Sequence, residues 1–137
     1  MSYHVDVVQA CMANPHFRQE LHTTPRAQLV LMCLQPGEDI GNEVHHLDQL
    51  LFFVAGTGRF EVDDQCGDVG PGHAVHVPAG TYHNFVNTGT EPMKLYTVYA
   101  PPEHAPGTVH RTKAEAQAAE AAELGALTSP RPARSSD

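Results

Sequence analysis

Short apolar or alternating runs, each closed by Gly, Pro, Asp or Asn, follow one another from residue 17 to about residue 99. This pattern is typical of short β-strands, and nothing helical lies between the runs. Strands this short and closely spaced favour an antiparallel sandwich or barrel over a parallel sheet. The pattern therefore predicts an all-β body over residues 17–102. Its clearest strands are predicted at 28–34, 50–54, 59–62, 74–77, 84–86 and 94–99.

The two ends of the chain differ from this body. Thr112 followed by Glu115 forms a capping box, and residues 114–124 are rich in Ala, Glu and Gln before Gly125. These signals predict a short C-terminal α-helix within a linker-and-helix segment, 103–125. Residues 126–137 are predicted to be a disordered tail, because residues 128–137 contain no large apolar side chain. Residues 1–16 form an N-terminal segment in which we expect an edge strand from about Tyr3 to Val8.

Composition limits the partners of this single domain of 137 residues. Sixteen acidic and eight basic side chains give a formal net charge of −8, so no basic stripe could follow a phosphate backbone. No run approaches the 18 apolar residues of a membrane span, and the first residues lack the pattern of a signal peptide. We expect a cytoplasmic protein with no nucleic-acid or membrane partner. The three cysteines, an odd set without close pairing, predict buried thiols rather than disulfides.

Four side chains of metal-ligand type lie in two short segments. The first segment contains Glu43, His45 and Gln49, and the second contains His83. Side chains two residues apart share one face of a strand, so Glu43 and His45 are expected to point into the barrel while His46 points away. Three or four donors from two segments are what a mononuclear metal site requires.

The spacing of these residues resembles that of a known family. Gly37, Glu43, His45, Gln49 and Gly56 reproduce the spacing of the first cupin motif. The second motif is matched at every fixed position by Gly72, Pro78, Gly80, His83 and Asn87. From about residue 29 to 102 the chain resembles small single-domain cupins of the type named mannose-6-phosphate isomerase-like. The resemblance implies a single antiparallel jelly-roll β-barrel, one bound divalent metal ion and a homodimer.

The first motif departs from the usual cupin ligand set of three histidines and one glutamate. Glu43 occupies the first histidine position, and Gln49 occupies the glutamate position. Total ligand charge remains −1, but an amide oxygen replaces one imidazole, which leaves Zn²⁺, Mn²⁺ or Fe²⁺ as suitable ions. We therefore predict Glu43, His45, Gln49 and His83 as metal ligands, with His46 replacing His45 if the strand carries a bulge. The alternative is a barrel that has lost its metal and keeps a polar network in its mouth.

Residues around the predicted metal would select the substrate. Alternation along the predicted strands carries Leu51, Phe53 and Phe85 inward, where they would line a pocket or fill the core. Tyr82 and Tyr96 are candidates for a hydroxyl group in that pocket. Neither motif contains Arg or Lys. This absence argues against a phosphorylated or dicarboxylate substrate, which would need a guanidinium partner.

Several functions use such a site. The favoured hypothesis is an enzyme whose divalent metal acts as a Lewis acid on an oxygen-bearing small molecule, in isomerase, lyase or cyclase chemistry. Glu43 would then be a metal ligand or the general base of catalysis. One alternative is a non-catalytic module that binds a small molecule or a sugar. A second is a metal-dependent dioxygenase, disfavoured because the usual ligand set is broken, and a third is an oligomerising protein whose barrel serves only as core.

Overall fold

The computed structural model describes residues 2–126. Apart from Ala126, the predicted disordered tail therefore lies outside the described residues. Within residues 2–126 the chain forms two helices and nine strands. In chain order these are α1 Val7–Ala13, β1 Arg18–Thr23, β2 Gln28–Leu34, β3 Asp48–Ala55, β4 Gly58–Val62, β5 Gln65–Val69, β6 Ala74–Val77, β7 His83–Asn87, β8 Met93–Ala100, β9 Val109–His110 and α2 Lys113–Ala126.

The strands form two sheets in which neighbouring strands are antiparallel. One sheet has six strands in the order β6-β3-β8-β2-β1-β9, and the other has three in the order β5-β4-β7. The free edge of β7 is extended by the segment 39–43, which forms bridges between Asp39 and Val86 and between Glu43 and His83. The prediction of an all-β antiparallel barrel with a C-terminal helix is confirmed.

Alternation along the strands divides the barrel interior into an apolar end and a polar end. On β8 the buried residues are Met93, Leu95, Thr97 and Tyr99, and the residues between them are half-buried. On β3, Phe53 lies opposite Leu95 and Gln49 lies opposite Tyr99. Because side chains two apart share a face, each strand passes from apolar to polar positions toward the same end. The polar end is where a site can form.

The apolar end is a packed core between the two sheets. Leu51 and Phe53 of β3 are buried there with Phe85 of β7, and the Phe53 and Phe85 rings are 5.8 Å apart. Full burial of such side chains stabilises the fold by about 1.5–3 kcal/mol each. Gly56 follows β3 with a φ of 84°, in the left-handed region that glycine adopts readily.

The expected edge strand from Tyr3 to Val8 is absent, and helix α1 takes its place. Asp6 caps this helix by accepting a hydrogen bond from the Gln9 amide at 3.1 Å, which favours helical over extended backbone. The helix packs against β8, β3 and β2 and buries Cys11. The sheet edge beside β1 is occupied by β9 instead.

Helix α2 begins with the predicted capping box. Thr112 Oγ1 accepts from the Glu115 amide at 3.1 Å, and the Glu115 carboxylate accepts from the Arg111 amide at 2.9 Å. Ala116 joins the core, and Lys113 forms an ion pair with Asp39. The helix thus lies beside the segment 39–43. Neither helix within residues 2–126 has the length and apolar content to cross a membrane.

The cysteines follow the sequence prediction in part. Cys11 and Cys33 are buried, and burial raises the pKa of both thiols, that of Cys11 to about 11. Cys66, on β5, is exposed, contrary to the expectation of buried thiols. All three are free thiols, as predicted.

Candidate metal centre

Three side chains predicted as metal ligands converge at the polar end of the barrel. Ligand atoms of Glu43, His45 and His83 all lie within 4.8 Å of one another. Glu43 and His83 are direct cross-strand neighbours, because their backbones exchange two hydrogen bonds of 3.0 Å each. His45 Nε2 lies 3.4 Å from Glu43 Oε1. Glu43 and His45 precede β3 instead of lying on a strand, yet they face the same space as the alternation predicted.

His83 is oriented so that one ring nitrogen faces this space as an acceptor. Its Nδ1 lies 3.0 Å from the backbone oxygen of Thr81, so Nδ1 carries the proton and donates it. Nε2 then keeps its lone pair, and it is buried without a hydrogen-bond partner. Burial lowers the pKa of His83, which keeps the imidazole neutral. A neutral imidazole held through its other nitrogen is the usual form of a metal-ligating histidine.

Gln49, on β3, has a comparable arrangement. The side chain is 3% exposed, and its Nε2 donates to Thr97 Oγ1 at 3.1 Å. In this orientation Oε1 is buried and has no hydrogen-bond partner among the described residues. Buried polar atoms in native proteins nearly always have a partner, so such an atom requires an explanation. Gln49 Oε1 and His83 Nε2 fit a bound divalent cation together with the Glu43 carboxylate.

His45 is held from two directions. Its backbone oxygen accepts from the Gly80 amide at 2.7 Å, and Gly80 has a positive φ of 80°, which glycine adopts readily. Its Nδ1 lies 3.5 Å from Glu103 Oε2. A carboxylate at this position orients a ligating imidazole and raises its basicity. Sequence reasoning missed Glu103, because it lies outside both motifs and no local spacing signals it.

Tyr99 closes the site on the β8 side. Its ring packs edge-on against His45, with ring centroids 6.1 Å apart. Burial raises the pKa of Tyr99, so its hydroxyl stays protonated. Tyr99 therefore offers a neutral hydroxyl close to the candidate ligands.

A small cavity of roughly 90 Å³ adjoins Glu43 between β1, β9 and α2. Its wall includes Arg18, Glu103, His110 and Glu120. A second cavity of roughly 150 Å³ lies between α2 and the segment 39–43, and Glu43 and Glu120 line both cavities. The pKa of Glu120 is raised, first by partial burial and then by Glu43. Glu43 thus belongs both to the candidate metal centre and to the walls of the two cavities.

Three predicted substrate-pocket residues lie in the packed core. Leu51, Phe53 and Phe85 are at most 2% exposed and belong to one apolar cluster. None of them lines either cavity beside Glu43. Alternation correctly placed these side chains inside the barrel, where they pack against one another and against the rest of the apolar core.

The other predicted residues lie away from the cluster. His46 is exposed and is not part of the convergent group. Tyr82 is 54% exposed. Tyr96 stacks on Phe52 at 4.9 Å, on the opposite face of β8 from Thr97 and Tyr99. The structure therefore brings together Glu43, His45 and His83, with Gln49 at the same end of the barrel.

Comparisons with known proteins agree with the motif assignment. The family model described as "Cupin domain" matches residues 30–99. The chain is 45% identical over 123 residues to the uncharacterised protein YrkC of Bacillus subtilis, covering 85% of this chain and 66% of that protein. The chain thus spans just under two thirds of the length of this relative.

Two further similarities concern structure and chemistry. The crystal structure of BH2720 from Bacillus halodurans is similar with a TM-score of 0.85 and 42% identity, covering 86% of this chain and 95% of that one. A 5-nitrosalicylic acid 1,2-dioxygenase from Bradyrhizobium is 30% identical over 76 residues, covering 56% of this chain and 37% of that protein. The similarity to BH2720 extends over most of both chains, whereas the similarity to the dioxygenase covers only part of each chain.

Proposed function

The chain belongs to the cupin family, and from that premise we propose that it is a metal-dependent enzyme acting on a small oxygen-bearing molecule. The observation that carries this proposal is the convergence of Glu43, His45 and His83 at one end of the barrel. Two buried acceptors there, Gln49 Oε1 and His83 Nε2, have no hydrogen-bond partner within residues 2–126. Leaving a buried acceptor unsatisfied costs roughly 1–3 kcal/mol, and a divalent cation would satisfy both at once.

We propose Glu43, His45, Gln49 and His83 as the residues that hold the ion, with Zn²⁺, Mn²⁺ and Fe²⁺ as the suitable choices. Two neutral imidazoles and two oxygens are a donor set of intermediate hardness, which these ions accept. When bound, such an ion polarises a substrate oxygen as a Lewis acid. Thr81 and Glu103 hold the two imidazoles through their other ring nitrogens, which keeps the donor geometry fixed before substrate arrives.

Glu43 has a second proposed role, as an alternative to ligating the ion: it is the residue we propose for proton transfer. The Glu43 side chain is 17% exposed, whereas His45 is 4% exposed and His83 is 2% exposed. Glu43 also lines both neighbouring cavities. A carboxylate at the boundary between a metal centre and a substrate cavity is placed to accept a proton from a carbon or oxygen activated there. This arrangement supports isomerase, lyase or cyclase chemistry.

Two alternatives have support of their own. Similarity to the Bradyrhizobium dioxygenase supports oxygen chemistry at the same centre, although it covers only 56% of this chain. A non-catalytic module for a small molecule or sugar would use the same cavities without proton transfer by Glu43. A homodimer and a cytoplasmic location stay predictions, to be checked by analytical ultracentrifugation and cell fractionation.

The test compares Glu43→Gln with Glu61→Gln, a matched change at an exposed position of β4. Full-length protein is purified without chelators or a histidine tag, and metal per chain is measured by elemental analysis. The proposal expects close to one divalent ion per wild-type chain and per Glu61→Gln chain. It expects Glu43→Gln to lose metal if Glu43 is a ligand, or to keep metal and lose turnover if Glu43 is the base. Wild-type protein that binds no metal at any stoichiometry would refute the enzyme as proposed.

A further inference from the structure

Arg18, the first residue of β1, is a buried cation without a carboxylate partner among the described side chains. It is 3% exposed. Its Nη1 contacts His110 Nδ1 at 3.1 Å, and the Phe17 ring lies 5.3 Å from its guanidinium carbon. Its Nε is buried with no hydrogen-bond partner. The ion pairs found among residues 2–126 join Asp or Glu to His45, His76 or Lys113, and Arg18 is in none of them.

The contact with His110 orients Arg18 but does not neutralise it. Arg18 and His110 are cross-strand neighbours on β1 and β9. Because the guanidinium can only donate, His110 Nδ1 must accept, which requires a neutral imidazole. Burial and then Arg18 lower the pKa of His110, in agreement with that neutral form. Arg18 therefore remains a positive charge: it also contacts the Tyr99 side chain and is attracted to Glu120, but no described carboxylate forms a direct ion pair with it. A buried charge without a direct ion pair is costly, and an anion bound in the cavity would reduce that cost.

We infer that the small molecule bound by this protein carries a carboxylate, and that Arg18 binds it in the cavity between β1, β9 and α2. This inference rests on the proposed function, because the cavity lined by Arg18 also adjoins Glu43 at the candidate metal centre. The carboxylate would anchor one end of the molecule while an oxygen at its other end faces the metal ligands.

A carboxylate fits this cavity better than a phosphate does. The space is small, at roughly 90 Å³, and its wall already contains Glu43, Glu103 and Glu120. Several carboxylates in one wall disfavour a dianion more strongly than a monoanion. A planar carboxylate also matches the edge of a guanidinium group, where Nε is one of the donors. Arg18 lies outside residues 30–99. The argument against an anionic substrate rested on the absence of Arg and Lys from the two motifs, so it does not apply to the cavity that Arg18 lines.

The experiment uses L-lactate and its uncharged amide, lactamide, as probes of the full-length protein. Both are titrated into chelator-treated protein and into zinc-loaded protein, and the ¹H–¹⁵N resonance of Arg18 Nε is followed by NMR. The inference expects lactate to shift this resonance and to bind at least tenfold more tightly than lactamide in both samples. Equal affinity for the two probes, an unmoved Arg18 Nε resonance, or no binding of lactate would overturn it.

Variants add a second readout. Arg18→Gln is expected to weaken lactate binding at least tenfold and to leave lactamide binding unchanged. Arg59→Gln, at an exposed position of β4, is the matched control and is expected to change neither. If Arg18→Gln does not fold, the wild-type comparison of lactate with lactamide decides the question. Chelator-treated protein separates the two proposals, since lactate selectivity there does not require that any metal binds.

Discussion

Thr97→Val tests whether the Gln49 amide is held in place as a metal ligand. Thr97 is fully buried on β8, and its Oγ1 accepts the hydrogen bond from Gln49 Nε2. Valine has nearly the same shape as threonine but cannot accept this bond. The variant therefore leaves the Gln49 amide nitrogen buried without this acceptor, and it frees the amide group to rotate.

The expected size of each effect follows from the contacts. A buried donor left without a partner costs about 1–3 kcal/mol of unfolding free energy. Loss of a group that orients a metal ligand typically weakens metal affinity 10- to 100-fold. At a metal concentration 100 times the wild-type Kd, binding stabilises the wild type by about 2.7 kcal/mol. A tenfold weaker variant would gain only about 1.4 kcal/mol under the same conditions.

The assay is urea unfolding of both proteins with and without Zn²⁺, together with calorimetric titration of the metal. Val69→Ala is the control, because Val69 is buried in the apolar core on β5, a strand that contains none of the predicted ligands. It should lower stability by a similar amount, about 1–3 kcal/mol, and leave metal affinity unchanged. A Thr97→Val protein with wild-type metal affinity would refute the assignment of Gln49 as an oriented ligand.

Three further predictions concern the fold. Gly56→Ala should lower unfolding free energy by more than about 1 kcal/mol in urea, because φ is 84° and a Cβ would lie 2.8 Å from backbone atoms of Pro92 and Met93, whereas Gly70→Ala should stay within about 0.5 kcal/mol. The pKa of Asp39 is lowered, chiefly by its hydrogen bond from Lys113, so the stability it contributes is complete above its ordinary pKa of 3.8 and is lost as pH falls below that value. Asp39→Asn should therefore weaken the loss of stability in acid, measured by thermal unfolding between pH 6 and pH 2; an unchanged acid profile would contradict this. In native protein about one equivalent of a thiol reagent should react, at Cys66, and Cys11 and Cys33 should react only after denaturation. Fast labelling of all three thiols in native protein would contradict the burial of Cys11 and Cys33.

The fold could be predicted largely because its signals are local. Short runs closed by turn residues indicate strands, and the turn ending in Gly80 needs a residue that adopts positive φ. An edge strand was expected where helix α1 lies, and the cap from Asp6 and the burial of Cys11 favour the helix. Packing against three strands is information that a local pattern does not contain.

The residues of the candidate site that lie in the two motifs could be predicted from the sequence. Those that reach the site only through long-range contacts could not. The two motifs contain all four predicted ligands, and side-chain spacing indicated that Glu43 and His45 face one way. Arg18 and Glu103 were not found, since Arg18 meets His110 across 92 residues of sequence. Alternation also placed Phe85 inside the barrel, but it does not distinguish the wall of a pocket from a packed core. That distinction depends on which side chains of the facing sheet pack against Phe85.

X-ray absorption at the edge of the bound metal tests the central claim most directly. The measurement uses full-length wild-type protein purified without chelators, and it identifies both the ion and its donor atoms. The account predicts one Zn²⁺, Mn²⁺ or Fe²⁺ per chain, with two imidazole nitrogens and the remaining positions filled by oxygen. A site with sulfur donors, a site with three or more imidazoles, or protein without bound metal would contradict it.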